Sequence, residues 1–415
     1  MLAMEENVSK YTNAIGSGKQ AITQGQKRKG GRGMREGWEY KKLGEVASSE
    51  LGKTLNKSKD TGKLYPYICA VNVLWDMIDL TILKHAFFEK EEIDRYSVRK
   101  GDLLVCEGGD TGRSAIWEKE EPVLYQNAIH RVRFTTEMEA RFAMYCLWHL
   151  KNNGQIDQKY SKGVTIKHLV KSSLLSIELP VPPLSTQHTI VSELDKINEL
   201  IRLKKEQLKD YDNLAQSIFY EMFGDPVVNE KGWEVKKLGD VCKFTQGTQV
   251  PIEEQHLSKE NGLVQFLRII DFTQGKDAPR FVKCSNDKYI LHEHEIAIVR
   301  YGTPGFVCYG KIGAIANNLF KITPNQKDMF EFEFLVHWLN TEAFQSAVKS
   351  KQYGAALQAI KFSTIQGINI IIPSLTVQRS FATRISQIDK QKQYIEESIK
   401  ELESLLASRM QYWFD

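Results

Sequence analysis

The sequence predicts an α+β fold built from two tandem repeats. Each repeat is a mixed α/β globular segment followed by a long helix, and the two helices pack as a coiled coil. Three observations lead there. The decapeptide Gly37-Trp38-Glu39-Tyr40-Lys41-Lys42-Leu43-Gly44-Glu45-Val46 returns as Gly232-Trp233-Glu234-Val235-Lys236-Lys237-Leu238-Gly239-Asp240-Val241, with two of ten positions changed. Two long stretches carry apolar residues at 4-3 spacing and hold no Pro or Gly until their ends. Between these landmarks lie short β-branched and aromatic runs of strand length.

The repeats end as they begin, in a register of 191 residues. Pro182-Pro183-Leu184-Ser185-Thr186-Gln187 answers Pro373-Ser374-Leu375-Thr376-Val377-Gln378, Gly163 answers Gly354, and Phe223 answers Phe414. Fainter echoes join Gly101–Val105 to His294–Ile298, and Asn127 to Asn317. The frame is shared and the middles diverge.

Each long stretch starts with a capping hydroxyl, Ser185 or Thr186 in the first and Thr376 in the second, placed to accept from orphan amide groups. The first seam runs Ile190, Leu194, Ile197, Ile201, Lys204, Leu208, Tyr211, Ala215, Ile218, Met222. The second runs Phe381, Ile385, Ile388, Lys392, Ile395, Ile399, Leu402, Leu406, Arg409, Trp413. Five heptads at this spacing indicate a coiled coil, roughly 55 Å long at 1.5 Å per residue. Two separate amphipathic helices, each on its own domain, are the competing arrangement. Lys204, Lys392 and Arg409 interrupt the seams, either fixing register or reaching out to solvent. Gly224-Asp225-Pro226 ends the first helix.

Strands are expected at Tyr67–Val73, Asp102–Cys106, Ala128–Phe134 and Ile177–Pro180, with counterparts at Val264–Ile270, Glu295–Val299, Leu319–Thr323 and Ile368–Pro373. Helices are expected at Glu137–Lys151 and Phe330–Ser350. The expected domains are a flexible basic tail over 1–36, globular segments over 37–185 and 225–376, and long helices over 186–224 and 377–415. The tail ends in Gln26-Lys27-Arg28-Lys29-Gly30-Gly31-Arg32-Gly33, a composition that favours disorder. Its basic run is suited to phosphates, or is merely solvated.

Composition narrows the function classes. The 415 residues are 42% apolar and 26% charged, as in a globular protein of two domains. No apolar run reaches the roughly 18 residues of a membrane span, and the start lacks a secretion pattern. Six cysteines stand apart, so a disulfide framework or zinc site is not expected and a reducing cytoplasm fits. Lys plus Arg number 56 against 52 Asp plus Glu. That balance excludes a polycationic binder but suits a nucleic-acid binder with its basic residues in one groove.

Catalytic motifs are missing. No GxxxxGK[ST] loop occurs, and Gly16-Ser17-Gly18-Lys19-Gln20 lacks its spacing. Val181-Pro182-Pro183-Leu184 lacks the flanking Asp/Asn and aromatic with which an amino-methyltransferase grips a base. His292-x-His294 has no third ligand at matching spacing. The chain leans towards binding; a DNA methyltransferase or nuclease with its own active site is the alternative.

The ordered set, occurring twice, resembles the specificity subunit of type I restriction-modification systems. It comprises Trp-Glu-x-Lys-Lys-Leu-Gly-Glu/Asp-Val, a Gly-Asp-Leu-Leu type strand, a Gly-x-x-Ile/Leu turn, Pro-x-Leu-x-x-Gln and a long helix, and covers about residues 37–415. The resemblance implies two target-recognition domains joined by an antiparallel helical pair, each reading half of a split double-stranded DNA target. It implies two docked methyltransferase subunits and further restriction/translocase subunits. S-adenosylmethionine, ATP and Mg²⁺ would serve those partners, with no cofactor in this chain and no membrane. The 36-residue tail departs from the family pattern.

Side chains reaching base edges carry sequence readout, and phosphate contacts fix register. In the first repeat the expected DNA contacts are Lys53, Lys57 and Lys59 in a polar loop, Arg113 after Gly-Gly-Asp-Thr-Gly, Gln126 and Asn127, and Tyr160, Ser161 and Lys162. In the second they are Gln246, Thr248, Arg300, Tyr301, Asn317, Asn318, Lys351, Gln352 and Tyr353. Arg suits guanine, and Asn or Gln suits adenine. An ordinary solvated side chain is the competing reading for each.

Overall fold

The computed structural model describes residues 35, 38–56, 61–163, 167–273, 277–326, 328–350 and 360–415. The chain forms two compact units. The first comprises residues up to Ile201 together with Glu401–Asp415, and the second comprises Arg202–Lys400. Both long helices are divided between the units. The expected tail lies outside the described residues, apart from Arg35.

The first unit contains β1 (Glu39–Lys42), β2 (Ala47–Leu51), β3 (Lys63–Ile68), β4 (Lys84–Phe88), β5 (Ser97–Val98), β6 (Leu103–Cys106), β7 (Ser114–Ile116), β8 (Val123–Tyr125), β9 (Ile129–Phe134) and β10 (Glu178–Val181). One sheet has the order β2-β9-β6-β7, a second β4-β3-β8-β5, and β1 pairs with β10. All neighbours are antiparallel except β3 and β8.

The second unit contains β11 (Glu234–Lys237), β12 (Cys242–Gln246), β13 (Leu263–Leu267), β14 (Arg280–Lys283), β15 (Ile290–Leu291), β16 (Ile296–Val299), β17 (Val307–Cys308), β18 (Gly313–Ile315), β19 (Leu319–Pro324) and β20 (Asn369–Ile372). Its sheets run β12-β19-β16-β17, β14-β13-β18-β15 and β11-β20. Every pairing of the first unit recurs, including the single parallel pair β13·β18. The duplication is thus complete in topology, including the middles, where sequence similarity has faded.

The repeated decapeptide has a physical reason. Its Glu-x-Lys-Lys portion is the strand that pairs antiparallel with the strand leading into the long helix. Its Leu-Gly-Glu/Asp-Val portion is a single helical turn whose Leu43, Val46, Leu238 and Val241 are buried. The glycine between them lies against a short helix. A Cβ on Gly239 would stand 2.7 Å from Cβ of Gln366, and one on Gly44 would press on Leu175 at 3.3 Å.

The glutamine of Pro-x-Leu-x-x-Gln is wholly buried in both units. Gln187 accepts from the Glu139 amide at 2.8 Å and donates to the carbonyls of Glu137 and Pro182, both at 2.8 Å. Gln378 does the same with the Glu331 amide (2.8 Å), Met329 (3.2 Å) and Pro373 (2.8 Å). Each amide ties the start of a long helix to the start of a shorter one, Ala140–Asn152 or Phe332–Leu339.

The long helices are Leu184–Phe223 and Leu375–Phe414. Within the second unit they run antiparallel: Lys392 pairs with Asp212 at 2.6 Å and Arg384 with Glu221 at 3.6 Å. Within the first unit Arg409 forks onto both carboxylate oxygens of Glu193, which also accepts from the Trp413 indole at 3.0 Å. Two of the three seam cations therefore make cross-helix ion pairs. Seam residues Ile190, Leu194, Ile197, Ile201, Phe381, Ile385, Ile388, Ile395, Ile399 and Leu406 are buried. Near the end of the first helix the buried side chains are Phe219 and Phe223. The expected Ile218 and Met222 are partly buried there, because the helix turns its aromatic stripe into the second unit's core.

Three expected elements differ in extent. The run from Tyr67 leaves the sheet at Ile68, where Asn72 caps the Cys69 amide at 3.0 Å and folds a 3-10 turn. The run from Val264 ends likewise at Leu267, where Asp271 accepts from the Arg268 amide at 2.8 Å. The helix expected over Phe330–Ser350 breaks into Phe332–Leu339 and Glu342–Ser350. The Thr341 hydroxyl bonds back to Trp338 and accepts from Phe344 at that break. Among the described residues no helix is long and apolar enough to cross a membrane.

Truncating the buried glutamine should strand one amide and two carbonyls, at a cost of about 1–3 kcal/mol for each group left unpaired. Gln187→Ala and Gln378→Ala are each expected to lower the denaturation midpoint of the full chain. Midpoints equal to wild type in both variants would show that the tie is dispensable.

Candidate nucleic-acid interface

In the antiparallel sheet β2-β9-β6-β7 the ends of β2 and β6 and the starts of β9 and β7 lie on one side. The loops they carry meet there. Gly52 donates to the Ile129 carbonyl (3.1 Å) and Lys53 to Tyr125 (3.2 Å). The second unit repeats this, Gly247 to Leu319 (3.0 Å) and Thr248 to Ile315 (2.9 Å). A Cβ on Gly52 would collide with the Gln126 carbonyl, and one on Gly247 with those of Ile315 and Ala316. Only glycine lets the two loops touch.

On the facing turn Asn127 donates to the Thr54 hydroxyl at 3.0 Å, and Asn317 to the Gln249 side chain at 3.3 Å. The two asparagines hold equivalent positions. Ala128 sits beside Asn127 with φ of 81°, a conformation that non-glycine residues seldom adopt and that tends to be stored where loops do work.

The third loop is six residues in each unit: Glu107-Gly-Gly-Asp-Thr-Gly112 and Arg300-Tyr-Gly-Thr-Pro-Gly305. The backbone bonds match one for one. Gly112 donates to Cys106 (2.9 Å) and Gly305 to Val299 (3.0 Å). Glu107 donates to Ala128 (2.9 Å) and Arg300 to Asn318 (2.8 Å). Leu169 donates to Glu107 (2.7 Å) and Ile360 to Arg300 (2.9 Å). Positive φ falls on Gly109 and Gly112, and on Gly302 and Gly305. The counterpart of Arg300 is therefore Glu107, whereas Arg113 corresponds to Phe306. The sequence hides this correspondence because the offset between counterparts slides along the chain.

The expected contact residues separate into groups. Lys53 is buried: its ammonium bonds the Phe87 carbonyl (2.9 Å) and Glu92 (2.6 Å). A buried pair does not offer itself to a phosphate, so Lys53 is no part of an exposed basic loop. Tyr160 is also buried and braces its loop from within. Ser161 bonds Thr111 (3.3 Å) and the Ile156 carbonyl (2.9 Å), while Lys162 is exposed. Gln246 is committed to the Asn317 carbonyl at 3.0 Å, and Arg113 donates to Ala70 at 2.8 Å. Gln126, Thr248 and Asn318 are half-buried, and Tyr301 is exposed. Lys57, Lys59, Lys351, Gln352 and Tyr353 lie outside the described residues.

Four buried polar atoms at this loop end have no hydrogen-bond partner among the described residues: Nε of Arg113, Oγ of Ser114, Nε of Arg300 and Oδ1 of Asn318. Orphaned groups of this kind are rare in native cores. Behind the loops, His130 bonds the Leu169 carbonyl at 2.8 Å, and burial depresses its pKa. His292 of the His-x-His pair faces Asp287 at 3.1 Å. No group of three or more His, Cys, Asp or Glu is arranged to hold a metal among the described residues.

A cavity of about 640 Å³ lies elsewhere in the second unit, lined by Asp212, Tyr309, His337, Asp389 and Lys392 among others. Burial pushes His337 down to about 4, with the Lys392 ammonium adding to the fall. Its imidazole lies edge-on to Phe381, ring centroids 5.2 Å apart.

The family model for the type I restriction modification DNA specificity domain matches residues 35–210 and again 230–404. Two relatives come from Methanocaldococcus jannaschii. The type I restriction enzyme MjaIX specificity subunit is 24% identical over 385 residues, covering 85% of this chain and 86% of that protein. The putative type I restriction enzyme MjaX specificity subunit is 24% identical over 413 residues, covering 90% and 93%. A chain solved in work on complex assembly and conformational transition of the type I R-M system shares the fold. Its TM-score is 0.53 at 20% identity, over 92% of this chain and 98% of that one.

Gly247→Ala should force the two loops apart, speeding amide hydrogen exchange over Ala316–Leu319; wild-type protection would refute the need for glycine. The depressed His337 pKa also has a sign. Between about 4 and the ordinary histidine value of about 6.5 the unfolded chain binds the extra proton, so stability rises with pH across that window and is lost as pH falls. His337→Gln should flatten this part of the profile in pH-dependent denaturation. A slope unchanged by the substitution would assign it to other groups.

Proposed function

The chain belongs to the type I restriction modification DNA specificity family, whose domain it carries twice, and from that premise we propose that it reads a split double-stranded DNA target, one half with each unit. It is a specificity subunit, the DNA-recognition component rather than a catalytic one. One observation carries the proposal. The two units share every strand pairing and the backbone bonds that anchor the six-residue loop, while the side chains there have diverged. Two readers with one frame and different surfaces suit a target of two unlike halves.

Gln126, Lys162, Thr248, Arg300, Tyr301 and Asn318 are the side chains we assign to the DNA face. Lys57 and Lys59, and Lys351, Gln352 and Tyr353, belong to the same proposal as phosphate or groove contacts. Two methyltransferase subunits dock along the long helices, and restriction/translocase subunits join them. S-adenosylmethionine, ATP and Mg²⁺ are used by those partners in the cytoplasm.

Methylome sequencing of cells with and without this gene should reveal one split motif that depends on it. Purified with its methyltransferase subunits, the chain should bind that motif with a log–log salt slope of about −0.9 per phosphate contacted. Equal affinity for random duplexes would overturn the proposal. Label transfer from S-adenosylmethionine to DNA by the chain alone would instead favour an enzyme.

A further inference from the structure

Glu107 and Arg300 occupy the same station in the two frames. Each has its amide and its carbonyl taken by equivalent backbone neighbours, Ala128 and Leu169 for Glu107, Asn318 and Ile360 for Arg300. Neither side chain makes a hydrogen bond or ion pair among the described residues, and each is only half-exposed. The charge at this station is reversed between the units. Resting on the reading above, we propose that Glu107 and Arg300 are specificity-determining residues that read opposite base chemistries, Arg300 a guanine and Glu107 a cytosine.

The chemistry follows from what each group can do. The Arg300 guanidinium lies over the Phe320 ring, Cζ 5.7 Å from its centroid, with Nε buried and unpartnered. That cation–π contact holds the guanidinium beside the ring, and no bond among the described residues claims its outer N–H groups. Two parallel donors match O6 and N7 of guanine. Glu107 is the converse. A carboxylate is repelled by phosphate and only accepts, so on a DNA face it is tolerated where an exocyclic amino group donates to it. N4 of cytosine is the usual partner. With φ positive on two glycines in each loop and the same pattern of backbone bonds, the loop holds its path whichever side chain it carries. The station is a fixed socket with exchangeable contents.

Selection of bound duplexes from a randomised library tests this, using the chain assembled with its methyltransferase subunits. Glu107→Gln should relax one cytosine in one half of the motif and leave the other half unchanged. Arg300→Gln should move one guanine of the other half towards adenine. Each change should alter preference at that position by about 5-fold to 150-fold, the range of 1–3 kcal/mol for a good base contact. Arg300→Lys keeps the charge but loses the fork; it should weaken the same guanine alone. Thermal melts of each complex check folding, and Glu107→Ala and Arg300→Lys serve if a Gln variant melts early. A uniform loss of affinity with every position of the motif retained would overturn the proposal. If the wild-type complex selects no split motif at all, the functional reading fails instead.

Discussion

The buried glutamine at the head of each long helix is the constraint on which the rest hangs. Gln187 and Gln378 each satisfy one amide and two carbonyls with a single side-chain amide. They do so where two helices start and the last strand of the unit ends. A helix start leaves amide donors without partners, and a buried start must find them in side chains. The glutamine supplies that partner and locks the long helix to the globular part. The loop end and the coil are thereby positioned by the same frame.

Much of this frame was legible in the sequence. The decapeptide, the Pro-x-Leu-x-x-Gln turn and the 4-3 seams all mark positions where a side chain is buried or a glycine meets a neighbour. Such positions resist drift, so both copies still look alike. The middles were legible only in part. The strands around Leu103–Cys106 and Leu319–Pro324 were readable from continuous apolar runs. Short ones such as Ser97–Val98, Ser114–Ile116 and Val307–Cys308 were not, since two or three residues carry no period. The strands through Tyr67 and Val264 stop short of the ends of their apolar runs because Asn72 and Asp271 take up the backbone amides of Cys69 and Arg268.

The candidate site was hardest to read, for a physical reason. Its loops are held by main-chain hydrogen bonds and by glycines at positive φ, which leave no pattern in side-chain chemistry. Asn127 and Asn317 were recognisable as counterparts. Glu107 was invisible as the counterpart of Arg300, since insertions shift the alignment between landmarks. Lys53 misled because a lysine in a polar stretch looks solvated, and only tertiary packing places Glu92 against it.

The backbone-only anchoring of the six-residue loop has a consequence for how such a chain changes over generations. When the peptide groups carry the fold, substitution at the outward side chains meets little resistance from stability. A lineage can then replace Glu by Arg at one station, and alter what is recognised, without first acquiring compensating changes in the core. The frame acts as a standard mount, and the freedom to diversify is inherited with it in both copies.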